Sequence, residues 1–293
     1  MTINTTPLAV QLWKDPNGKP PPEETALALR MSIAERVAGV TRQKENYDTA
    51  LRHLAGVPLP YDCRLPSLTD ECLEIERCAW RAFIDDLHLR EVLSIEARTR
   101  LDEQLYEHRR GYGGKAPLPP FTEANVFGFF EQTCASIPRM IHEAVREVFK
   151  WLTPGQRWTG CKTSNEFKIG QKVIVTYTAE SNYSRGFRVN HHRRANVDAL
   201  GNVLAMLDGK GVRKRNRAET DDPKLAGSYA EAWSGAWGKP EVYEDDYLTA
   251  KAFANNNVHI TFKRMDIVAQ INQAGNEPEL PEPNRTESRG FSH

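Results

Sequence analysis

The chain has 293 residues, of which 40% are hydrophobic and 27% charged, with 39 basic and 39 acidic side chains. This composition is typical of a folded, soluble protein, and the balanced charge differs from that of dedicated nucleic-acid domains, which are commonly basic overall. No apolar run approaches the ~18 residues of a membrane helix, and the N-terminus lacks a signal-peptide pattern, so we expect a cytoplasmic protein without membrane contact.

The first 110 residues are predicted to form a flexible arm followed by a helical region. Residues 1–22 end in a proline-rich stretch that cannot be helical, because proline lacks the backbone N–H. Apolar residues then recur at helical spacing from Glu23 to Leu54. A second helix follows Ser67 or Thr69 as its N-cap, and a third runs from about Ser94 to His108, so residues 23–110 are predicted to be helical.

Residues 111–120 contain three glycines and three prolines and are predicted to be a linker between two domains. Thr122 opens the clearest helix of the chain, whose apolar residues recur every three or four positions up to Leu152. We expect a kink at Pro138.

After residue 155 the apolar period changes from helical to strand-like. Alternation predicts short strands near residues 167–169 and 173–177, a helix at 195–207, a β-hairpin of residues 247–253 and 258–262, and a helix at 266–271. The predicted fold class is α+β, with a helical N-terminal region and a C-terminal domain, residues 121–273, whose small antiparallel sheet packs on the long helix. Residues 274–293 are expected to be a flexible tail.

The strongest functional signal is a basic segment at residues 185–217, which contains nine basic residues and only two acidic ones. The basic residues are Arg185, Arg188, Arg193, Arg194, Lys210, Arg213, Lys214, Arg215 and Arg217. Three explanations stay open: a solvated loop, a surface for an acidic protein, and a nucleic-acid site in which Tyr183 and Phe187 stack on bases. The neutral composition ranks protein ahead of nucleic acid. Trp233 and Trp237 are further candidates for partner binding, with the hydrophobic core as the alternative.

No catalytic or metal-binding constellation is secure, so we expect no cofactor. Adjacent His191 and His192 do not match the separated histidines of HNH nucleases. Glu166 and Lys168 match the E-x-K end of a restriction-type nuclease motif, but no aspartate lies between Asp102 and Glu166 to complete it. The five cysteines contain no C-x-x-C pair, which disfavours a zinc ribbon.

The predicted hairpin and the helix after it resemble an uncharacterised domain family of phages, plasmids and integrated elements. Its members carry the pattern K-x-F-x-N-G-N-x-H-x-x-F, matched here by residues 251–262, with Asn256 in place of the usual glycine, and then a helix ending in leucine and asparagine, here Ile271 and Asn272. The resemblance covers about residues 121–273. It brings no catalytic residues with it.

The chain is also similar to phage counter-defence proteins that inhibit the Gabija nuclease-helicase. That similarity implies an oligomeric binding protein that surrounds the host complex in the bacterial cytoplasm and blocks its access to DNA. The alternative is a DNA-binding accessory protein or nuclease of a mobile element, for which the basic segment would contact phosphates.

Overall fold

A computed structural model describes eight stretches of the chain, residues 23–54, 67–87, 89–110, 118–153, 168–182, 186–211, 225–233 and 242–277. Its first half is helical: α1 (Glu23–Leu54), α2 (Leu68–Asp86), α3 (Leu89–Val92), α4 (Ile95–Arg110) and α5 (Glu123–Leu152). The predicted cap of α2 is confirmed, because Ser67 Oγ accepts a hydrogen bond from the Asp70 N–H at 3.1 Å. None of the helices in the described stretches is long and apolar enough to cross a membrane.

The second half adds strands β1 (Lys172–Val175), β2 (Ala179–Asn182), β3 (Gly186–Val189), β4 (Val242–Glu244), β5 (Leu248–Ala252) and β6 (Val258–Phe262), with helices α6 (Arg194–Leu207), α7 (Leu225–Ala232) and α8 (Met265–Asn276). Four strands form an antiparallel sheet in the order β1, β6, β5, β4, while β2 and β3 pair separately. The α+β class predicted from the sequence is confirmed.

Several predicted elements differ from the observed ones. The hairpin around residues 255–257 is confirmed as β5 and β6, and α6 lies where it was expected. Near residues 167–169, Lys168 forms only an isolated bridge, and Phe167 lies outside the described residues. The elements β2, β3, β4 and α7 were not predicted, because they are too short to show a sustained period. Helix α8 runs on to Asn276, beyond the predicted end of the domain, since Ala274 packs on the core.

Helix α5 contributes to two hydrophobic cores. Its first half packs with α1, α2 and α4 around the fully buried Trp80 and contributes Val126 and Phe130. Its second half contributes Val148 and Leu152 to a second core, which the inner face of the sheet shares with α6, α7 and α8. Between the halves, Ile137 packs on α3, next to the exposed Pro138. The long helix is therefore shared by both cores.

The predicted linker is described only at its end, because residues 111–117 lie outside the described stretches. Leu118 and Phe121 are buried in the first core, and Trp80 Nε1 donates a hydrogen bond to the Pro119 carbonyl at 2.9 Å. Residues 118–121 therefore pack on the N-terminal helices. The predicted arm, residues 1–22, and the predicted tail after residue 277 also lie outside the described residues.

Two contacts, one at Gly275 and one at Asn272, fix the position of α8 against the rest of the second core. Gly275 approaches the Phe149 ring so closely that an added Cβ would overlap the ring. Asn272 forms an amide clamp on Ile169: its Nδ2 donates to the Ile169 carbonyl at 3.0 Å, and its Oδ1 accepts from the Ile169 N–H at 2.7 Å. The clamp holds the backbone just before β1, where Ile169 itself is fully buried.

Candidate functional site

The described part of the basic segment lies at the two ends of α6. Arg188 lies in β3, Arg193 and Arg194 begin the helix, and Lys210 follows its last turn. At 1.5 Å per residue the helix is about 20 Å long, so its ends are well separated. The two basic clusters are therefore distinct surfaces, and each has its own electrostatic environment.

The start of α6 is a cationic surface, formed by residues 191–194, which we call the α6 basic start. A 3-10 turn places these residues, with the His192 N–H donating to Asn190 Oδ1 at 3.0 Å. No acidic residue lies in the first turn, and within the described stretches neither Arg193 nor Arg194 has an ion-pair partner. Cations at a helix N-terminus oppose the helix dipole by about 0.3–1 kcal/mol each. The stability of α6 therefore does not explain these arginines.

Arg188 adds a partly neutralised charge beside the α6 basic start. Its Nε lies 2.6 Å from the Glu180 carboxylate, which occupies the opposite position on β2. The Arg188 side chain stays 61% exposed, and exposed pairs of this kind contribute only about 0–1 kcal/mol. A partner with a carboxylate or phosphate can therefore compete for Arg188 at little cost.

The other end of α6 is a closed charge network. The Asp208 carboxylate accepts hydrogen bonds from Tyr247 Oη at 3.0 Å and Arg264 at 2.9 Å, and it pairs with Lys210 Nζ at 3.0 Å. The bonds from Lys210 and Tyr247 lower the pKa of Asp208, while the bond to Asp208 raises the pKa of Lys210. Burial raises the pKa of the Tyr247 hydroxyl. Lys210, a predicted partner-binding residue, is therefore engaged within the protein.

Trp233 lies in the second core and is removed from the set of candidate surface residues. Its side chain is fully buried, its ring packs 4.8 Å from that of Tyr229, and its Nε1 donates to the Ala250 carbonyl at 3.4 Å. Its own carbonyl accepts the Phe187 N–H at 2.8 Å. The residue joins α7 to the sheet and to β3, and its role is packing.

Other candidates lie outside the described residues, and their roles stay predictions. These are Arg185, Arg213, Lys214, Arg215, Arg217, Trp237 and Glu166. Lys168, the second half of the nuclease-like pair, is exposed. Across the described stretches, no three His, Cys, Asp or Glu side chains come together as a metal site would require.

A second candidate surface, which the sequence patterns did not point to, is the solvent side of the four-stranded sheet. The strand register places Ile174, His259, Lys251 and Val242 in one row across β1, β6, β5 and β4. All four are partly or fully exposed, whereas the neighbours on the other side of the sheet, such as Ile260, are buried. The alternation of residues 251–262 was the available signal, because it separates this face from the core.

Two rings and a cation share this face. The rings of Phe253 and His259 lie 4.0 Å apart at 37°, and Lys251 Nζ lies 5.3 Å from the Phe253 centroid. Burial, followed by the charge of Lys251, lowers the pKa of His259, so the imidazole is neutral at pH 7. Phe253, His259 and Lys251 form what we call the hairpin stack.

The loop of this hairpin depends on a left-handed residue. Asn256 has φ 64°, the conformation that glycine adopts most easily and asparagine tolerates. Its carbonyl accepts the N–H groups of Thr178 at 3.1 Å and Ala179 at 3.2 Å, which docks the loop on the turn after β1. Tyr177 in that turn also has a positive φ, 53°, and is 68% exposed. An exposed aromatic side chain thus lies at the loop end of the sheet.

A groove of about 720 Å³ lies between α4 and α5. Its walls carry charges of both signs, including Arg139 paired with Glu143 at 3.6 Å. Glu147 also lines it and accepts the Ile95 N–H at 2.6 Å, which suits a carboxylate at the first turn of α4. Much of the charge on the groove walls is therefore already paired with neighbouring groups of the protein.

Comparison with protein families places these surfaces in a known domain. A family described as a domain of unknown function, DUF4942, matches residues 72–277, well over half of the chain. The chain belongs to the DUF4942 family. This confirms the predicted membership of an uncharacterised domain family. No curated protein and no solved structure matches the chain significantly.

The DUF4942 match spans more of the chain than residues 121–273. It begins inside α2 and ends just after α8, so it includes parts of both hydrophobic cores. The α6 basic start and the hairpin stack both lie within it, while α1 lies outside. Both candidate surfaces therefore belong to the DUF4942 domain.

Proposed function

We propose that this protein is a binding protein of a phage or other mobile element that inhibits a host anti-phage complex. The observation that carries the proposal is the α6 basic start, where Arg193 and Arg194 have no ion-pair partner within the described stretches. The resemblance to counter-defence proteins suggests the class of partner, with the Gabija nuclease-helicase as the first target. On this proposal the protein acts in the bacterial cytoplasm as a homo-oligomer that blocks the access of the complex to DNA.

The charge arrangement suits an acidic partner. Arginine binds carboxylates in a bidentate manner, and such charge-assisted hydrogen bonds are stronger than neutral ones. Carboxylates of a partner would also relieve the unfavourable placement of cations at a helix N-terminus. The free protein therefore carries a local electrostatic penalty that binding removes.

The direct test is co-purification of the tagged protein with Gabija components, combined with plaque counts in cells that carry the system. Replacing Arg193 and Arg194 by glutamine is expected to abolish the complex and restore host defence. The control replaces Arg81 and Arg100 by glutamine. These exposed arginines of α2 and α4 differ from the tested pair in having acidic partners, Asp85 at 3.9 Å and Glu96 at 3.2 Å, and their replacement is expected to retain both activities. The Gabija assignment is refuted if the wild-type protein neither binds the complex nor protects phage.

The alternative, a DNA-binding accessory protein or nuclease, gives a different result with the same variants. Each phosphate contact adds about 0.9 to the slope of log affinity against log salt on duplex DNA. If Arg193 and Arg194 contact phosphates, their replacement lowers that slope by about 1.8 and weakens duplex binding. Duplex binding of this kind, without a host protein partner, would favour the alternative.

Light scattering of the purified protein tests the proposed oligomer.

A further inference from the structure

The solvent side of the four-stranded sheet combines aromatic rings with positive charge. The row formed by Lys172, Thr261, Thr249 and Glu244 lies next to the row that contains Lys251 and His259. Glu244 is the one acid in these two described rows, and it pairs with Lys263 at 2.7 Å. Neither Lys172 nor Lys251 has an ion-pair partner among the described residues. The open face is therefore cationic as well as aromatic.

We propose that this sheet face binds single-stranded nucleic acid, with bases stacked on the hairpin stack and phosphates beside Lys251 and Lys172. Every base offers a flat π surface, and aromatic side chains in a positively charged groove are the usual way in which proteins hold unpaired strands. Tyr177 lies exposed at the loop end of the same sheet and extends the aromatic surface there. This site uses side chains other than those of the α6 basic start, and the two surfaces approach each other where the Asn190 N–H donates to the Thr178 carbonyl at 2.9 Å.

The composition of the face favours a nucleic acid over a protein as its occupant. Lysine is depleted at the centres of protein interfaces, where aromatic residues, methionine and arginine are enriched, so the choice of cation is what discriminates here. Here the cations beside the rings are lysines, and the larger apolar side chains, Ile174 and Val242, are separated by His259 and Lys251 in the row. A neutral His259 next to Phe253 leaves the paired rings free of positive charge at pH 7. An unpaired strand suits both features, because its phosphates can pair with the lysines while its bases stack on the uncharged rings.

Fluorescence anisotropy of the full-length protein tests the proposal. The probes are a labelled oligothymidylate of about 12 nucleotides, the matching oligouridylate and a duplex of the same length. We expect the single strands to bind at about 50 mM salt and the duplex to bind much more weakly. Phe253→Leu, which keeps apolar bulk but removes the ring, should weaken single-strand binding at least about fivefold, while Phe253→Trp should retain it.

Charge and control variants complete the test. Lys251→Gln should reduce the single-strand salt slope by about 0.7, the value for one phosphate contact. Tyr106→Leu, which removes an exposed ring on α4, should leave binding unchanged. The proposal is overturned if no single strand binds at low salt, if the duplex binds as tightly, or if Phe253→Leu binds like wild type. It is also overturned if Phe253→Leu loses the binding of a host protein but keeps the binding of single strands. Glutamine at Arg193 and Arg194 reports separately on the proposed counter-defence function.

Discussion

Replacing Asn272 by aspartate is expected to destabilise the protein strongly at neutral pH and much less in acid. In the wild-type protein, Asn272 donates to the Ile169 carbonyl at 3.0 Å and accepts from the Ile169 N–H at 2.7 Å. Aspartate keeps the acceptor. It replaces the donor by a second carboxylate oxygen, which then faces the carbonyl oxygen of Ile169.

The size of the effect follows from the groups that lose partners. The lost hydrogen bond is worth about 1 kcal/mol, and the unsatisfied carbonyl of a buried residue costs about 1–3 kcal/mol more. The free energy of unfolding should therefore fall by about 2–4 kcal/mol at pH 8, before any repulsion between the oxygens is added. Asn272→Ala, which loses both hydrogen bonds and leaves both the N–H and the carbonyl of Ile169 without this partner, should cost at least as much as Asn272→Asp.

The pH dependence follows from the protonation of the new carboxyl group. Repulsion from the Ile169 carbonyl raises its pKa in the folded protein above the unfolded value of about 3.9. Ionisation therefore destabilises the fold, and the penalty is fully present above the folded pKa. It disappears as pH falls below about 3.9, where the protonated carboxyl donates to Ile169 as the amide does.

Urea denaturation at several pH values between about 8 and 3, monitored by tryptophan fluorescence, measures the difference in unfolding free energy from wild type at each pH. Asn255→Asp is the matched control, since Asn255 is exposed and keeps its acceptor for the Asn257 N–H at 3.2 Å. Its effect should stay within about 0.5 kcal/mol at every pH. Equal stability of the Asn272→Asp variant and wild type at pH 8, or a loss that does not recover in acid, would refute the clamp.

Three further outcomes follow from local geometry. Gly275→Ala should cost about 1–3 kcal/mol in urea denaturation, because the new Cβ overlaps the Phe149 ring, and Phe149→Leu should recover part of the loss; additive effects would contradict this. Asn256→Ala should cost about 1 kcal/mol more in thermal denaturation than Asn256→Gly, since φ is positive; equal effects would disprove it. Burial raises the pKa of Cys134 to about 11, so peptide mass spectrometry should show slower alkylation at pH 8 than for the exposed Cys78. Similar rates would count against that burial.

Local sequence patterns were sufficient to predict those parts of the fold that depend on residues close together in the chain. The apolar period of α5, the Ser67 cap and the turn at Asn256 all depend on contacts within a few positions of the chain, and each was predictable. Short elements such as β4 and α7 were not, because three to eight residues carry too little periodicity.

The candidate surfaces were harder to predict because they depend on residues far apart in the chain. Lys210 looked like a free cation, yet it shares Asp208 with Arg264, more than fifty positions away. Tryptophan is common both in interfaces and in cores, so the sequence leaves the place of Trp233 open. Its full burial and its hydrogen bond to the Ala250 carbonyl show that it belongs to the core. The hairpin stack could not be predicted without the register of β5 and β6, which places His259 opposite Lys251.

The sharing of α5 by two cores limits how the protein can be divided. A fragment that begins at residue 121 would expose Val126 and Phe130 to water, because the helices that cover them would be missing. We therefore expect such a fragment to aggregate, and a fragment from residue 67 to 277 to fold better. The same helix, about 45 Å long if straight and continuous through Pro138, connects the two parts. Force or displacement applied by a partner at the sheet would reach the N-terminal helices through α5, without any hinge at residue 121.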